Sequence, residues 1–267
     1  MEYKLIAMDM DGTLLNSNKE VSERNLKAID AAIKKGIHVV LATGRVLSSA
    51  QHYAKKLDLK NYIIASNGAI IVDSNNKIVF SKPLDVNLVN RIIEIGNKYS
   101  VYNHFYDENT LYSNTYVKEI VEYYRQRESD FKFTIFKELQ ELLDQNEMKI
   151  YKFIFIDDEP KKLQLISEEL QTLEYINLTK SFSNNIEVMN IEASKGEALK
   201  FLGEKLNVPR DQIIAVGDNE NDLTMIQYAG LGVAMGNGEE IVKDSADYVT
   251  LNNDEDGIAK VIEKFIL

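Results

Sequence analysis

The first third of the chain alternates apolar runs of buried-strand type with segments of helical periodicity. The apolar runs are Leu5–Met8, 37–42 and 62–65, and a good helix N-cap, Ser22, opens the first segment between them. Strands that are joined through helices pair in parallel, by right-handed crossovers. This alternation constrains the fold more than any other feature, because it predicts an α/β protein built on a parallel sheet.

A long segment of different character interrupts this pattern. The predicted elements of the segment are helices at 86–99, 117–127 and 160–173 and strands at 152–156 and 176–182. The alternation of strands and helices then resumes with a helix from Lys195 and a strand at 213–216. We therefore predict two domains, of which an α+β domain at 83–189 is inserted between the two parts of the other, 1–82 and 190–267.

Polar clusters follow three of the predicted parallel strands, and a lysine opens the helix after the insertion. The clusters run from Asp9 to Thr13, from Thr43 to Arg45 and from Asp218 to Asp222, and the lysine is Lys195. In parallel sheets, ligands bind beyond the carboxyl ends of the strands. We therefore expect these side chains to meet at one edge of the sheet.

Together the clusters contain the groups that phosphoryl transfer requires. Asp9 and Asp218 offer hard oxygen ligands of the kind that suit Mg²⁺, and Lys195 offers a fixed positive charge. The Thr43 hydroxyl and the backbone N–H of Gly44 are neutral donors for a phosphate. A carboxylate can also act as the nucleophile. Since the chain has no cysteine and its 3 histidines are scattered, an aspartate is the best candidate for that role.

Each cluster alone also has an ordinary structural explanation. An acidic pair at a strand end commonly forms a turn, and a single lysine near a helix start is usually a solvated surface residue. The acidic segment 218–222 would serve equally well as a helix N-terminus that complements the dipole. Tyrosine-rich stretches such as 102–124 are usually packing. The order and spacing of the four clusters along one chain favour the functional interpretation.

The composition limits the partners of the protein. A net charge of −11 over 267 residues argues against a nucleic-acid partner, although a local cation can hold a phosphorylated small molecule on an acidic protein. No apolar run approaches the roughly 18 residues of a membrane span, and the N-terminus lacks a signal-peptide pattern. We expect a cytoplasmic monomer or weak dimer, without nucleic-acid or membrane partners, that acts on a small phosphorylated metabolite.

Four segments carry a resemblance to a known family. Asp9-Met-Asp-Gly-Thr, Thr43-Gly-Arg, Ser194-Lys-Gly and Gly217-Asp-Asn-Glu-Asn-Asp222, in this order, resemble the four motifs of the haloacid dehalogenase (HAD) superfamily. The whole chain is similar to the Cof-type phosphatases of subfamily IIB, and the insertion matches their large cap domain. The resemblance implies a Rossmann-like parallel-sheet core with an inserted α+β cap. It also implies Mg²⁺-dependent hydrolysis of small phosphate monoesters, sugar phosphates or similar, through an aspartyl-phosphate.

The resemblance also implies roles for individual residues. Asp9 is the nucleophile and a metal ligand, and Asp11 is the general acid/base and binds the metal through its backbone carbonyl. Asp218 is a further metal ligand, and Asp222 orients water bound to the metal. The implied phosphate-binding residues are Thr43, Gly44, Lys195 and Asn221, with Arg45 and Asn67 as weaker candidates near the substrate.

Two other kinds of protein remain as alternatives. A phosphomutase or a phosphonate hydrolase would use the same scaffold. An Asp-phosphorylated regulatory module, similar to a response-regulator receiver, would also use clustered acids, a threonine and a lysine. The large insertion and Asp11 argue against the regulatory module, because a signalling domain needs a lasting phospho-aspartate. We expect the insertion to select the substrate, with the aromatic-rich stretch 102–124 as part of the selective surface.

Overall fold

The computed structural model describes residues 2–59, 61–127, 132–145 and 148–267 of the chain. Within these ranges, the fourteen strands are β1 (Leu5–Met8), β2 (His38–Ala42), β3 (Ile63–Ala65), β4 (Ile70–Val72), β5 (Ile78–Ser81), β6 (Tyr102–Tyr106), β7 (Thr110–Ser113), β8 (Lys132–Ile135), β9 (Lys152–Ile156), β10 (Ile176–Thr179), β11 (Asn185–Asn190), β12 (Ile213–Gly217), β13 (Leu231–Ala234) and β14 (Tyr248–Val249). The ten α-helices in the same ranges are α1 (Glu23–Lys34), α2 (Leu47–Lys56), α3 (Val86–Tyr99), α4 (Lys118–Arg127), α5 (Leu139–Gln145), α6 (Pro160–Leu170), α7 (Lys195–Leu206), α8 (Leu223–Tyr228), α9 (Glu240–Ser245) and α10 (Gly257–Phe265). None of the helices in the described ranges is both long and apolar enough to cross a membrane.

Eight strands form the first sheet, in the order β14-β13-β12-β1-β2-β3-β4-β5. From β14 to β3 all neighbours pair in parallel, whereas β4 and β5 add an antiparallel hairpin at one edge. The buried side chains of β1 alternate between the faces, since Ile6 and Met8 pack with α1, α2 and α10 while Leu5 and Ala7 pack with α7 and α8. A parallel core covered on both faces confirms the predicted α/β fold.

Six strands form the second sheet, in the order β10-β11-β9-β6-β7-β8. Its neighbours pair antiparallel except for β7 and β8, which are parallel. One face packs against α3 and α6 through an apolar cluster that includes Phe105 and Phe153. On the opposite face, Tyr106 and Ile154 pack with Val46, the N-cap residue of α2. This face of the second sheet is therefore turned toward the first sheet.

The structure corrects one predicted strand. The prediction of a single strand at 176–182 is wrong, because β10 ends at Thr179 and a turn leads directly into β11. The turn closes where Oδ1 of Asn185 accepts the backbone N–H groups of Ser181 and Phe182, each at 3.1 Å. β11 ends at Asn190, one residue beyond the predicted end of the inserted domain, and the division of the chain at 83–189 stays a prediction.

The topology of the first sheet determines where its polar clusters lie. β1 is flanked by β12 on one side and β2 on the other, and all three run in the same direction. Their carboxyl ends therefore share one edge, which carries Asp9, Thr43 and Asp218. In such sheets, ligands usually bind beyond the carboxyl ends of the strands, at the point where the strand order reverses.

Candidate active site

The side chains at this edge meet around Asp9. Its backbone N–H donates to the carbonyl oxygen of Val216 at 2.9 Å, which ties the end of β1 to β12. The ammonium of Lys195, the first residue of α7, donates to Oδ1 of Asp9 at 2.6 Å and to Oδ1 of Asp222 at 2.5 Å. Asp9 is only 6% exposed, and the other two residues are completely buried. The predicted lysine is therefore an internal charge rather than a solvated surface residue.

Asp218 lies against the turn that follows Asp9. Its Oδ1 accepts the hydroxyl of Thr13 at 2.7 Å, and its Oδ2 accepts the side-chain amide of Asn219 at 3.1 Å. Gly12 has a φ of +86°, and a Cβ atom at this position would lie 2.3 Å from Oδ2 of Asp218. Only glycine allows the turn and the carboxylate to approach this closely.

Asp222 holds the loop that carries Asp218. Its Oδ2 accepts the backbone N–H groups of Asp218 and Asn219, at 2.9 and 3.1 Å, in a capping box at the start of a short 3₁₀ helix. The ordinary explanation of this acidic segment as a helix cap is therefore correct for Asp222. The same side chain also accepts from Lys195, so that the cap and the internal lysine are parts of one network.

The acidic cluster has the chemistry of a divalent cation site. Asp9, Asp218 and Asp222 each offer a carboxylate oxygen within 4.8 Å of the others, and Lys195 is their one ammonium partner among the described residues. Burial raises the pKa of Asp9, although the charge of Lys195 acts to lower it. Burial and the charges of Asp9 and Asp222 also raise the pKa of Asp218. Three buried carboxylates around one lysine leave an excess of negative charge that a hard cation would offset.

Asp11 turns away from this cluster. Nε and Nη2 of Arg45 donate to its two carboxylate oxygens at 2.6 and 2.9 Å, and Nζ of Lys19 donates to one of them at 3.1 Å. Burial by itself raises the pKa of Asp11, but the hydrogen bonds and charges of Arg45 and Lys19 lower it to about 2. Asp11 is therefore an ionised carboxylate in this arrangement. The Arg45 guanidinium also lies 4.6 Å from the centre of the Tyr53 ring, which fixes its position.

The predicted phosphate-binding residues of β2 and the acidic loop lie beside one another. Thr43 is buried, and its Oγ1 accepts the backbone N–H of Arg45 at 3.1 Å. Nδ2 of Asn221 donates to Oδ1 of Asn67 at 3.0 Å. A Cβ atom on Gly44 would lie 2.7 Å from the same Oδ1, so the asparagine requires a glycine at this position. The structure thus brings both weaker candidates, Arg45 and Asn67, into the site.

A cavity of about 580 Å³ lies between this edge of the first sheet and the second sheet. Asp9, Asp11, Thr43, Gly44, Asn221 and Asp218 line it from the first sheet. The apolar residues that line it from the second sheet and α4 are Tyr106, Ile120, Tyr124, Ile154, Ile156 and Phe182. The acidic groups of the first sheet therefore face a partly open cavity. Its opposite wall combines these apolar side chains with polar ones, which are Glu119, Lys152, Ser181, Asn184, Asn185 and Glu187.

The aromatic-rich stretch 102–124 only partly lines this cavity. Tyr106 and Tyr124 line it, whereas Tyr112 donates to Asp107 at 2.8 Å and stacks on Phe105 inside the second sheet. Tyr116 is half exposed at 51%. Packing is therefore the correct explanation for some of these tyrosines, and two of them are placed to contact a ligand.

Two charged residues that sequence reasoning missed also line the cavity. Lys152 and Glu187 form an ion pair of 3.1 Å inside the second sheet, and each is less than 5% exposed. Both stand in strands whose other residues are mainly apolar, β9 and β11. A charge within a buried strand was a usable signal, because such charges are rare unless they are paired.

The chain is similar to known proteins over nearly its whole length. The family model of the haloacid dehalogenase-like hydrolases matches residues 6–262. The 5-amino-6-(5-phospho-D-ribitylamino)uracil phosphatase YcsE of Bacillus subtilis is 36% identical over 267 residues, which are 100% of this chain and 97% of the relative. Phosphatase YwpJ of the same organism is 32% identical and covers 98% of this chain and 100% of the relative.

The solved structures agree with the sequence relatives. A haloacid dehalogenase-like hydrolase from Bacillus subtilis superimposes with a TM-score of 0.92 and 31% identity, over 98% of this chain and 100% of that one. The match extends over both sheets, because nearly the whole of each chain is aligned. With its four motifs, its fold and its full-length relatives in agreement, this chain belongs to the haloacid dehalogenase superfamily, as a hydrolase of the phosphatase class.

Proposed function

We propose that the protein is a Mg²⁺-dependent phosphatase that hydrolyses small phosphate monoesters through an aspartyl-phosphate on Asp9. The observation that carries this proposal is the buried cluster of Asp9, Asp218 and Asp222 around Lys195, beside the cavity that Asp9 and Asp218 line. Lys195 holds Oδ1 of Asp9, and within the described residues we find no donor to its Oδ2. A carboxylate that is held by one oxygen suits attack on phosphorus by the other.

The metal would be held by Asp9 and Asp218, which line the cavity, together with the backbone carbonyl of Asp11. Asp222 lies behind them, completely buried, and its contacts to the loop N–H groups and to Lys195 fix the acidic loop. When bound, Mg²⁺ offsets the charge of the carboxylates and of the phosphate. The donor set consists entirely of oxygen atoms, which agrees with the preference of this ion.

The reaction has two steps in this proposal. In the first, a carboxylate oxygen of Asp9 bonds to phosphorus while the bond to the leaving-group oxygen breaks, and Asp11 supplies the proton that the departing oxygen takes up. In the second, Asp11 accepts a proton from water as the water oxygen bonds to phosphorus, which releases inorganic phosphate and the Asp9 carboxylate. Lys195 and the Thr43 hydroxyl hold the phosphate during both steps.

The contacts of Asp11 suit one of these steps better than the other. Paired with Arg45 and Lys19, Asp11 is ionised at neutral pH and suits the base of the second step. Its acid role in the first step requires that the pair with Arg45 open, so that the carboxyl can carry a proton. We propose that substrate and Arg45 compete for Asp11 in the cavity.

The lining of the cavity supports an uncharged leaving group. Its cations are Lys19, Arg45 and Lys152, and each of them is paired with a carboxylate. A second anionic group on the substrate would therefore meet no unpaired cation among the described lining residues. The apolar side chains of the opposite wall, together with its uncharged polar side chains Ser181, Asn184 and Asn185, suit a sugar or polyol with or without a flat ring.

Sugar phosphates and related phosphorylated polyols are accordingly the proposed substrates. The relative YcsE is named for a substrate in which a ribityl chain joins the phosphate to a uracil ring. A compound of that kind has an uncharged polyol and an uncharged ring, and we propose it as one candidate for this chain. We also propose that 1–82 with 190–267 forms the catalytic core, that 83–189 forms the cap, and that the protein acts in the cytoplasm as a monomer or weak dimer.

The test is release of inorganic phosphate by the purified protein from a panel of phosphate esters with Mg²⁺ present. We expect many turnovers per protein molecule, with neutral sugar and polyol phosphates hydrolysed faster than their counterparts that carry a second phosphate or a carboxylate. Formation of an isomeric phosphate ester without release of phosphate would instead indicate a phosphomutase. A stable phosphorylated protein after one turnover would indicate a regulatory module.

A further inference from the structure

We propose that the buried ion pair of Lys152 and Glu187 positions the phosphate-binding residues of the core, so that the cap contributes to the rate of phosphoryl transfer as well as to substrate choice. This inference rests on the proposed function, because it assigns a role within that active site. Both residues belong to the second sheet, and each forms a hydrogen bond across the cavity to a residue at the edge of the first sheet.

The first connection runs from Lys152 to Thr43. Nζ of Lys152 donates to the carbonyl oxygen of Gly44 at 2.5 Å. That carbonyl and the N–H of Arg45 belong to one planar peptide group, and the N–H donates to Oγ1 of Thr43 at 3.1 Å. Lys152 therefore holds the peptide plane that orients the threonine hydroxyl. Because this hydroxyl accepts from Arg45, its own proton is available to donate to a phosphate oxygen.

The second connection runs from Glu187 to Asn221. Oε2 of Glu187 accepts Nδ2 of Asn67 at 2.5 Å, and Oδ1 of Asn67 accepts Nδ2 of Asn221 at 3.0 Å. Oδ1 of Asn221 is buried and has no hydrogen-bond partner in the described part of the chain. Asn67 itself has a φ of 54°, in the left-handed region. Asparagine tolerates this conformation better than most side chains, and here it bridges the second sheet and the acidic loop.

The charges of the pair are held where they are by further contacts. Lys152 is 4% exposed and Glu187 is 2% exposed, and Oε1 of Glu187 also accepts the hydroxyl of Ser181 at 2.9 Å. A buried ion pair is seldom more stabilising than apolar residues of the same volume, since both charges lose their hydration. Stability alone therefore does not account for this pair, whereas defined hydrogen bonds to Gly44 and Asn67 do.

The two connections make the phosphate site depend on the position of the cap. In this inference, Thr43 and Asn221 are fully oriented when Lys152 and Glu187 lie against the first sheet. Misplacement of catalytic groups by about 1 Å can reduce a rate about 100-fold. The pair is thus a positioning device, distinct from the apolar wall that contacts the leaving group.

The experiment uses substrates whose leaving groups are too small for the cap to select. The full-length variants Lys152→Met and Glu187→Leu are compared with wild type on acetyl phosphate and p-nitrophenyl phosphate, and the inhibition constant of inorganic phosphate is measured for each. We expect kcat to fall about 10–100-fold on both substrates for both variants. For Lys152→Met, which disturbs Thr43, we also expect inorganic phosphate to inhibit several-fold more weakly.

Two matched variants separate positioning from general damage to the cap. Glu187→Gln keeps an oxygen that can accept from Asn67 but leaves Lys152 without its carboxylate partner, so its kcat should fall less than that of Glu187→Leu. Lys98→Met removes an exposed cap lysine that pairs with Glu169 at 2.7 Å and is not part of the cavity lining, and it should leave kcat unchanged. If Lys152→Met or Glu187→Leu does not fold, the double variant Lys152→Met with Glu187→Gln, which leaves no buried unpaired charge, is measured instead, with the same expected fall in kcat.

The outcomes distinguish this inference from the proposed function. If wild type hydrolyses both small substrates and the variants keep its kcat, the positioning role is wrong and the phosphatase assignment stands. If the loss is confined to KM for larger sugar phosphates, the pair selects the leaving group and the inference is again overturned. If wild type releases no phosphate from either substrate, the proposed function itself fails.

Discussion

Two buried charge clusters among the described residues are built in opposite ways. In the core, Asp9, Asp218 and Asp222 surround a single lysine and leave an excess of negative charge. In the cap, Lys152 and Glu187 balance each other at 3.1 Å. An unbalanced cluster is stable only with an added cation or with raised pKa values, whereas a balanced pair needs neither. In our proposals the core therefore binds and reacts, and the cap holds its neighbours in place.

The largest expected effect is that of removing the nucleophile from the unbalanced cluster. Asp9→Asn keeps the size of the side chain but gives an amide that does not attack phosphorus, so we expect kcat to fall roughly 10⁴–10⁶-fold. The measurement is phosphate release from p-nitrophenyl phosphate, with circular dichroism to verify the fold. The exposed Asp30→Asn, which removes a carboxylate of the pair with Lys34 on α1, serves as the control and should be fully active. A folded Asp9→Asn protein with more than a few per cent of wild-type kcat would contradict the assignment.

The second prediction concerns the cation that the carboxylates of the core are proposed to bind. Chelation by EDTA should abolish activity and added Mg²⁺ should restore it, whereas Ca²⁺ should restore little because its looser coordination misaligns the reacting groups. Mg²⁺ at 100 times its dissociation constant should also stabilise the folded state by about 2.7 kcal/mol, seen as a rise in Tm.

Asp218→Asn removes one of the proposed ligands and provides the matched test. It should weaken the Mg²⁺-dependent rise in Tm, while the same substitution at Asp30 should not change it. An unchanged rise in Asp218→Asn would place the ion elsewhere and would remove the distinction between the two clusters.

The third prediction concerns Asp11, which lies between the two regions. If Asp11 protonates the departing oxygen, Asp11→Asn should reduce kcat about 10²–10⁴-fold on alkyl phosphates. The loss should be smaller on p-nitrophenyl phosphate, whose leaving group scarcely needs a proton. Equal losses on the two substrates, with chemistry rate-limiting for both, would argue against the acid role and leave only the base role.

The contrast between the regions also explains which parts of the molecule could be predicted. The proposed catalytic groups of the core lie in short continuous motifs, most of which follow strand ends, because a parallel sheet gathers those ends at one edge. The resemblance of these motifs to a known family is confirmed by the relatives and the fold. The roles of individual residues such as Asp11 and Thr43 stay predictions, since the geometry shows where they lie and not what they do.

The cap was less predictable for a physical reason. Its six strands, β6 to β11, pair antiparallel except for β7 with β8, so the residues that reach the cavity depend on register and on which face is turned inward. Neighbouring residues of β6 illustrate this, because Phe105 packs against α3 and α6 while Tyr106 lines the cavity. Lys152 and Glu187 lie 35 positions apart and become partners only through the pairing of β9 with β11.

The last and smallest effect belongs to the cap and concerns stability alone. His104 is completely buried in β6, its Nε2 lies 3.1 Å from the hydroxyl of Tyr106, and its Nδ1 has no hydrogen-bond partner within the described ranges. Burial and the charge of Lys152 lower the pKa of His104 to about 3, from an ordinary value of 6.5. Between these two pH values, His104 is protonated in the unfolded chain and neutral in the folded chain. The free energy of unfolding therefore decreases as the pH falls through 6.5 toward 3.

From pH 7 to pH 5 this histidine should reduce the free energy of unfolding by about 2 kcal/mol, on top of the change that all other groups cause. His104→Gln cannot titrate, so the difference in unfolding free energy between wild type and variant should shrink by about that amount over the same interval. Urea unfolding followed by tyrosine fluorescence at several pH values measures the difference. A constant difference between wild type and His104→Gln across this range would mean that the cap accommodates a charged His104. In that case the cap would tolerate an unbalanced buried charge, as the core does. The two regions would then differ less than the ion pair of Lys152 and Glu187 suggests.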